Sequence, residues 1–429
     1  MTVTLNKERT LNNEHLMAAY SGRFARWLLL AAALMPTIHG AAYADGYSFS
    51  TLVSFDATNG RNPAASVIID GAGNLYGTTE TGGTSSAGNV FEIAAGSNTA
   101  TTLVSLNGFS DGRFPVASLI SDGAGIFFGT ASEGGSSGDG TVFDVAAGSN
   151  TVTTLAAFTG SNGLEPAAAL ISDAAGNLYG TAEGGGASGA GTVFEVASGS
   201  HTLTTLVSFN GGSNGAFPLG SLVTDAAGNL YGTTYGGGAF NRGTVFEIAA
   251  GSHTITTLVS FDGTNGAQPA AGLIADASGN LYGTTSDTAF SSTVFEISAQ
   301  SHALTTLATF PGDTTGTNIL GGLVLDGVGN LYGTTASGGP SGDGTVFEIA
   351  AGSNAITTLV TFNGANGANP EAGLLLDPAG NLYGTTYSGG ANNDGTVFKL
   401  SPVPEPSTLV LLGLSGPVLF WYGRRYRRR

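Results

Sequence analysis

The chain of 429 residues contains no cysteine, and it has only 13 lysines and arginines against 30 aspartates and glutamates. The absence of cysteine excludes a disulfide framework, a thiolate metal site and a cysteine nucleophile. Basic residues are scarcer still from residue 45 to residue 400, where four of them oppose 27 acidic residues and leave a net charge of −23. Because nucleic-acid binding requires clustered lysine and arginine, this acidic body is expected to bind no nucleic acid and to favour cations or neutral sugars.

Local catalytic motifs are missing as well. The sequence has no nucleophile elbow, no phosphate-binding glycine loop before a helix and no paired histidine motif. We therefore expect no cofactor, no metal site and no catalytic residue of the kind that a motif reveals. A catalytic site assembled from single residues of different repeats would leave no such motif and is the alternative.

Glycine is abundant, with 70 residues, and it is accompanied by 41% hydrophobic residues and only 10% charged ones. That apolar content is too high for a disordered polymer of glycine and serine. Many short strands joined by glycine-rich turns are predicted instead.

A stretch of ten residues, DGAGNLYGTT from Asp70 to Thr79, recurs with small changes along the chain. Its aspartates define seven units: Asp70, Asp122, Asp173, Asp225, Asp276, Asp326 and Asp377. Each unit contains an apolar run and segments like NLYGTT, TVFEI and TTLVSF, which indicates four short strands. Since four strands in about 50 residues make one propeller blade, the predicted fold is an all-β, seven-bladed β-propeller of four-stranded antiparallel blades.

The two ends of this array complement each other. The last unit stops at TVFKL, Thr396 to Leu400, with no TTLVSF segment after it, whereas YSFSTLVSF, Tyr47 to Phe55, has no TVFEI segment before it. We predict that this N-terminal strand completes the last blade and closes the ring within residues 45–400. The alternative, a linear solenoid, needs polar capping units, and none is visible.

The N-terminal segment has the pattern of a secretory signal. Two arginines precede the apolar run Trp27 to Met35, and the small residues Ala42 and Ala44 stand where a signal peptidase cuts. Residues 1–44 are therefore predicted to be a signal peptide that is removed after Ala44. A transmembrane anchor is the alternative, but the apolar run falls short of the roughly 20 residues needed to span a bilayer.

The C-terminal residues 401–429 contain Pro404, Glu405 and Pro406, then an apolar stretch from Thr408 to Tyr422 and a tail with five arginines. This order resembles a PEP-CTERM sorting signal. The resemblance implies a Gram-negative bacterium in which the C-terminal helix enters the inner membrane transiently and an exosortase-type enzyme cuts near the Pro-Glu-Pro. The protein would then be at the cell surface or outside the cell, often together with exopolysaccharide. An ordinary C-terminal tail anchor is the alternative.

The units themselves resemble the GloVer tandem repeat of bacterial exported proteins, through the pattern DxxGNLYGTT…GG…GTVFE across the whole body. The resemblance implies export and a propeller-like fold, and it implies no activity. Unit two departs from the pattern with IFFGT at Ile126 to Thr130, and unit five lacks the glycine pair.

The residues that the units share are predicted to be scaffold. In DxxGN the aspartate can accept hydrogen bonds from nearby backbone N–H groups, and the glycine can adopt the positive φ of a tight turn. Equivalent residues of a ring lie far apart, so the seven aspartates cannot converge on one catalytic site. One calcium ion per turn is the alternative, but a lone aspartate offers too few oxygens. His201, His253 and His302 share one turn position and are likewise expected to be turn residues rather than zinc ligands.

Recognition is assigned to residues that differ between the units. The connections after the second and fourth strands vary most and are expected to gather on one face of the ring. Aromatic side chains there are candidates for stacking on sugars, and charged ones for contacts with hydroxyls or a cation. The candidates are Arg61, Arg113, Asp139, Tyr235, Phe240, Arg242, Asp287, Phe290, Asp343, Tyr387 and Asp394.

Three functions fit these features. The first is a non-catalytic binding module of the cell surface or extracellular matrix, with exopolysaccharide or another envelope component as its partner. The second is a carbohydrate-active lyase or glycoside hydrolase with a site built from loop carboxylates, which requires two acids about 5 to 10 Å apart. The third is a rigid structural spacer.

Overall fold

The computed structural model describes residues 46–403 except 150, 287–290 and 313–314, and all of these lie in one compact unit, Ala42–Arg429. Several predicted positions fall outside the described residues. They are the signal cleavage site at Ala42 and Ala44, the sorting motif from Pro404 to Pro406, and the loop candidates Asp287 and Phe290.

Every regular element among the described residues is a β-strand, and no helix there could cross a membrane. The first strand, β1, is Tyr47–Ser54. Blade 1 has β2 (Ile68–Ile69), β3 (Leu75–Thr79), β4 (Asn89–Ile93) and β5 (Ala100–Ser105). Blade 2 has β6 (Ile120–Ser121), β7 (Ile126–Ala131), β8 (Thr141–Ala146) and β9 (Thr153–Ala157). Blade 3 has β10 (Ile171–Ser172), β11 (Leu178–Ala182), β12 (Thr192–Val196) and β13 (Leu203–Ser208).

The second half of the chain repeats the same order. Blade 4 has β14 (Val223–Thr224), β15 (Leu230–Thr234), β16 (Thr244–Ile248) and β17 (Ile255–Ser260). Blade 5 has β18 (Ile274–Ala275), β19 (Leu281–Thr285), β20 (Ser292–Ile297) and β21 (Leu304–Phe310). Blade 6 has β22 (Val324–Leu325), β23 (Leu331–Thr335), β24 (Thr345–Ile349) and β25 (Ile356–Thr361). Blade 7 has β26 (Leu375–Leu376), β27 (Leu382–Thr386) and β28 (Thr396–Pro402), and β1 is its fourth strand.

The seven sheets confirm the predicted seven-bladed propeller and the predicted closure of the ring. Within each of the first six blades the four strands are neighbours in chain order, and in blade 7 the order is β1-β28-β27-β26. β1 pairs antiparallel with β28 from Tyr47 opposite Pro402 to Ser54 opposite Thr396. β28 therefore extends two residues beyond Leu400, where the TVFKL segment ends.

The hydrophobic core lies between the blades and is built from the shared residues. Gly77 on β3 stands opposite Phe91 on β4, and a Cβ at Gly77 would lie 2.6 Å from the Phe91 ring. Only glycine leaves room for that ring, which is fully buried and meets Phe55 edge-on at a centroid distance of 5.2 Å. Phe55 follows the closing strand of blade 7, so this cluster joins the last blade to the first.

A threonine hydroxyl in the second strand links neighbouring blades near the ring axis. Thr334 Oγ1, for example, donates to the carbonyl oxygen of Ala372 in the next blade at 2.7 Å. Five equivalent bonds are made by Thr78, Thr130, Thr181, Thr233 and Thr385. The seventh equivalent, Thr284, is buried with no partner for its hydroxyl. The blades are thus joined by polar contacts near the axis as well as by apolar packing.

Antiparallel pairing gives the ring two different faces. One face has the turns that join the first strand to the second and the third strand to the fourth; we call it the turn face. It carries the seven motif aspartates. We call the opposite face, with the connections after the second and fourth strands, the loop face. The variable connections therefore share one face, as the sequence indicates.

Candidate ligand-binding face

The carboxylate of the motif aspartate accepts hydrogen bonds from residues of its own turn and blade. Asp70 accepts hydrogen bonds from the backbone N–H groups of Ala72 and Asn74, both at 2.9 Å, and from Asn74 Nδ2 at 2.9 Å and the Tyr76 hydroxyl at 3.1 Å. Gly73 has φ of 87°, which a glycine adopts without strain. Burial opposes ionisation of Asp70, but the hydrogen bonds from Asn74, Ala72 and Tyr76 outweigh it and lower the pKa of the carboxyl. All its acceptor capacity is used within the scaffold.

The tyrosine of the motif lies between two carboxylates of its own blade. The Tyr76 hydroxyl is 3.1 Å from Asp70 Oδ2 and 3.4 Å from Glu92 Oε1. Burial, the hydrogen bond to Asp70 and the charge of Glu92 raise the pKa of Tyr76 to about 12. The same three residue types recur in blades 3 to 6, whereas blade 2 has Phe128 in place of the tyrosine and blade 7 has Lys399 in place of the glutamate. The described residues contain no group of three or more histidine, aspartate or glutamate side chains able to hold a metal ion.

The three histidines serve the turn between the third and fourth strands. His201, His253 and His302 have φ of 54°, 52° and 54°, and Asn354 holds the same conformation in blade 6 with φ of 53°. Each histidine donates its backbone N–H to the carbonyl oxygen four residues earlier. Their place in separate blades keeps the imidazoles apart.

On the loop face, one backbone position of every unit has a positive φ although it is never glycine. We call these residues the mouth residues, and their φ values lie between 54° and 60°: Asn62, Phe114, Glu165, Phe217, Gln268, Asn318 and Asn369. Six of them precede a proline. A positive φ is rare for bulky residues such as phenylalanine and persists only where the surroundings hold it.

Hydrogen bonds to two blades hold each mouth residue in this conformation. The N–H of Phe217 donates to Ala190 of the preceding blade, and the Phe217 carbonyl accepts from Tyr235 N, both at 2.9 Å. The same pair of contacts surrounds Asn62, with Asp394 and Glu80 as partners. The backbone is thus fixed at all seven positions while the side chain changes from blade to blade.

A cavity of about 240 Å³ lies on the ring axis and is lined by equivalent segments of all seven blades. One lining position, two residues after each mouth residue, is apolar in six units: Ala64, Val116, Ala167, Leu219, Ala270 and Leu320. In blade 7 this position is Glu371, the single ionisable residue of the lining. Burial, and then the charge of Glu80, raise the pKa of Glu371.

Glu371 belongs to a polar group at the junction of blades 7 and 1. Burial, then hydrogen bonding to Glu80 and the charges of Glu80 and Glu371, raise the pKa of Tyr387 to about 12. Asn62 Nδ2 donates to the Tyr387 carbonyl at 3.0 Å. A second acid pair lies on blade 3, where burial and the charge of Glu165 raise the pKa of Glu183.

The charged loop candidates are used in contacts between elements. Arg61 Nε is 2.7 Å from Asp394 Oδ1, and Arg113 pairs with Glu133 while its guanidinium lies 5.0 Å from the centre of the Phe114 ring. Arg242 lies against Gly263, where a Cβ would be 2.9 Å from Nη1. Asp139, Asp343 and Asp394 occupy one equivalent position and offer their carbonyl oxygens to the mouth residue of the next blade. The structure therefore brings none of the three aspartates together.

Aromatic side chains are the most exposed apolar groups of the loop face. Phe109, Phe240 and Phe217 have 83%, 58% and 43% of their surface exposed, and the candidate Tyr235 follows β15 in the same blade as Phe217 and Phe240. Tyr387 stands at the equivalent position of blade 7.

Sequence reasoning missed Phe109, Phe217, Glu80 and Glu371. Glu371 was detectable as the one acid in an otherwise apolar column of the repeats.

Comparisons with known proteins agree with this architecture. The model of the Gloeobacter/Verrucomicrobia repeat matches residues 37–175, 111–291 and 286–413, and that of the PEP-CTERM protein-sorting motif matches residues 402–429. The sorting motif indicates export and sorting to the surface of a Gram-negative bacterium, with processing by an exosortase-type enzyme. No curated protein matches the chain.

Solved structures resemble this chain in fold alone. The extracellular domain of a putative one-component system from B. thetaiotaomicron has 10% identity and a TM-score of 0.57 over 83% of this chain, which spans only 40% of that protein. An oligogalacturonate lyase in complex with manganese has 11% identity and a TM-score of 0.56, with 85% of this chain and 96% of that one covered. A putative 6-phosphogluconolactonase from Bacteroides uniformis has 16% identity and a TM-score of 0.50, with coverages of 72% and 88%.

Proposed function

This chain belongs to the Gloeobacter/Verrucomicrobia repeat family, and from that premise we propose that it is a non-catalytic binding module of the cell surface or extracellular matrix whose loop face recognises polysaccharide. The observation that carries the proposal is the placement of exposed Phe109, Phe217 and Phe240 on the same face as the axial cavity and its single carboxyl. Aromatic faces present a large apolar surface at low entropic cost and suit the flat faces of sugar rings.

The charged side chains of the loop face favour one class of saccharide as the ligand. Arg61 and Arg113 are each paired with an acid, whereas Glu80, Glu165, Glu183 and Glu371 of this face have no basic partner among the ion pairs of the described residues. Neutral or amine-bearing saccharides therefore fit this face better than acidic ones, which like charge would repel.

A glycan array combined with a pull-down on the producing cell's own exopolysaccharide tests the proposal. We expect retention of neutral or amine-bearing glycans and little retention of uronate polymers. Blank results in both assays, or a preference for uronates, would contradict it.

A second candidate, a lyase or glycoside hydrolase, is favoured by one observation. A carboxyl whose pKa is raised by burial and by a second carboxyl is what a general acid requires, and Glu371 beside Glu80 has this character. Under this hypothesis Glu371→Gln abolishes release of reducing ends or unsaturated products while binding persists. Under the binding hypothesis neither wild type nor variant releases product from the retained glycan.

The same proposal includes processing at both ends of the chain. We propose cleavage after Ala44 and near Pro404 to Pro406, which leaves the propeller as the mature body. Both tryptophans, Trp27 and Trp421, would be lost, so the mature protein is expected to show tyrosine-type fluorescence only. Tryptophan emission from the purified surface form would contradict this processing, without bearing on what the loop face binds.

A further inference from the structure

Both ends of the described chain leave the propeller at one place on the turn face of blade 7. Tyr47 at the start of β1 lies opposite Pro402 at the end of β28, and Val403 N donates to the Gly46 carbonyl at 2.8 Å. Pro402 also lies beside the motif turn of the same blade, since a Cβ at Gly380 would be 3.2 Å from its Cγ. The loop face, with its aromatic residues and cavity, is on the opposite side of the ring.

The connection between the propeller and the sorting motif is very short, because β28 ends at Pro402 and the motif begins at Pro404. Val403, whose N–H donates to Gly46, is the last residue that the structure describes, and Pro404 follows it directly in the sequence. Even a fully extended Pro404 to Pro406 spans only about 10 Å at the usual rise per residue. An enzyme that binds this motif must therefore come close to the turn face of blade 7.

Charge distinguishes this blade from the other six on the turn face. In blades 1 to 6 the motif aspartate is accompanied by an acid on the third strand: Glu92, Asp144, Glu195, Glu247, Glu296 and Glu348. In blade 7 that position is Lys399, whose Nζ lies 5.3 Å from the centre of the Tyr383 ring. Blade 7 is thus the one blade whose motif charges cancel, which favours approach to an anionic membrane surface.

From these observations we infer that the turn face of blade 7 is the surface by which the unprocessed protein meets the membrane-bound sorting enzyme. The propeller then stands on this blade with its loop face directed away from the membrane. The loop face is free before the sorting motif is cut, and the turn face of blade 7 becomes accessible only afterwards.

The absence of cysteine allows a direct test with single cysteines at three exposed alanines. Ala379 lies on the turn face of blade 7, and Ala175 lies at the equivalent position of blade 3. Ala391 lies on the loop face of blade 7. The variants are Ala379→Cys, Ala175→Cys and Ala391→Cys. Each full-length variant is labelled with a bulky maleimide, once as the membrane-bound precursor in an exosortase-deficient host and once as the released body. We expect labelling of the precursor to be several-fold slower only at residue 379. Equal rates at residue 379 in both forms, or slower labelling of the precursor at residue 391, would overturn the inference.

Two further variants separate proximity from misfolding. A flexible Gly-Ser spacer of twelve residues after Val403 adds an average reach of about 19 Å and should restore labelling at residue 379 in the precursor. Lys399→Glu recreates the acid of the other blades and should lower the processed fraction in an exosortase-positive host, whereas Glu247→Lys on blade 4 should not lower it. A spacer without effect on labelling, or an unchanged processed fraction in Lys399→Glu, would also count against the inference.

Discussion

At the residue scale, the motif aspartate illustrates how a shared residue can be fully occupied by structure. Asp225 accepts four hydrogen bonds, from Ala227 N, Asn229 N, Asn229 Nδ2 and the Tyr231 hydroxyl. In the divergent blade 2, Asp122 accepts only two, from Ala124 N and Ile126 N. The chain thus offers its own comparison between a complete and a reduced turn.

Substitution of these two aspartates tests the value of the extra bonds. Asp225→Ala should lower the free energy of unfolding by about 1 kcal/mol more than Asp122→Ala, because two additional hydrogen bonds are lost at an exposed site. The measurement is the shift of the urea unfolding midpoint at neutral pH. Equal shifts, or a larger shift for Asp122→Ala, would contradict the scaffold role.

Glu371 has the opposite electrostatic character, and its effect on stability should depend on pH. Its folded pKa is raised above the ordinary 4.5, so the folded state favours the protonated form. The charged Glu371 therefore lowers the free energy of unfolding at pH values above its folded pKa. This destabilisation disappears as the pH falls through 4.5. Glu371→Gln should raise the unfolding midpoint at pH 7 and have little effect near pH 4.

Glu80 provides the control for this pH dependence. Because its charge contributes to the raised pKa of Glu371, the stabilisation by Glu371→Gln should be smaller in a Glu80→Gln background. A stabilisation that is independent of pH, or unaffected by Glu80→Gln, would show that electrostatics is not its cause.

At the scale of the element, the blades are joined by the threonine hydroxyls of their second strands. Thr334→Val removes the donor to the Ala372 carbonyl and should cost about 1–2 kcal/mol, because that buried acceptor loses its partner. Thr284→Val at the equivalent position should be neutral or stabilising, since the Thr284 hydroxyl has no partner to lose. Thermal unfolding of the two variants gives the comparison, and equal destabilisation would contradict this account.

The blades and their strands were largely predictable from the sequence. The mouth residues and the acid pair at the axial cavity were not. Repetition of the motif gave the number of units, and the incomplete end units indicated β1 as the partner of β28. The mouth residues escaped detection because asparagine, which favours a positive φ, occupies only three of the seven positions, and phenylalanine, glutamate and glutamine give no such signal at the other four. Glu80 and Glu371 come from the first and last units and meet only because the ring closes, so their coupling is not a local property of the sequence.

At the scale of the whole molecule, stability should depend on closure by β1. Removal of residues 46–55 deletes the buried Val53 and Phe55 and the Phe49 ring that stacks on Phe398 at 5.8 Å. Loss of the two buried side chains alone should cost about 5 kcal/mol. Removal of residues 404–429, which deletes no strand of the described propeller, should leave the unfolding temperature unchanged. Equal unfolding temperatures for the two truncations would contradict closure of the ring in solution.

In the whole molecule, the residues that build the ring are different from those proposed to bind the ligand. Shared residues fill the space between the blades and form the turns, while the exposed phenylalanines Phe109, Phe217 and Phe240 differ from the equivalent residues of other units and stand on the loop face. The central claim is therefore that ligand affinity belongs to one face of the ring.

The most direct test is the affinity of the mature body for the retained glycan, measured by isothermal titration calorimetry on three proteins. Wild type and Val328→Ala, which truncates an exposed side chain on the turn face, should bind equally. The double variant Phe217→Ala/Phe240→Ala on the loop face should bind at least about tenfold more weakly, as expected for the loss of a central aromatic contact. Equal affinities for all three proteins, or a loss confined to Val328→Ala, would contradict the claim.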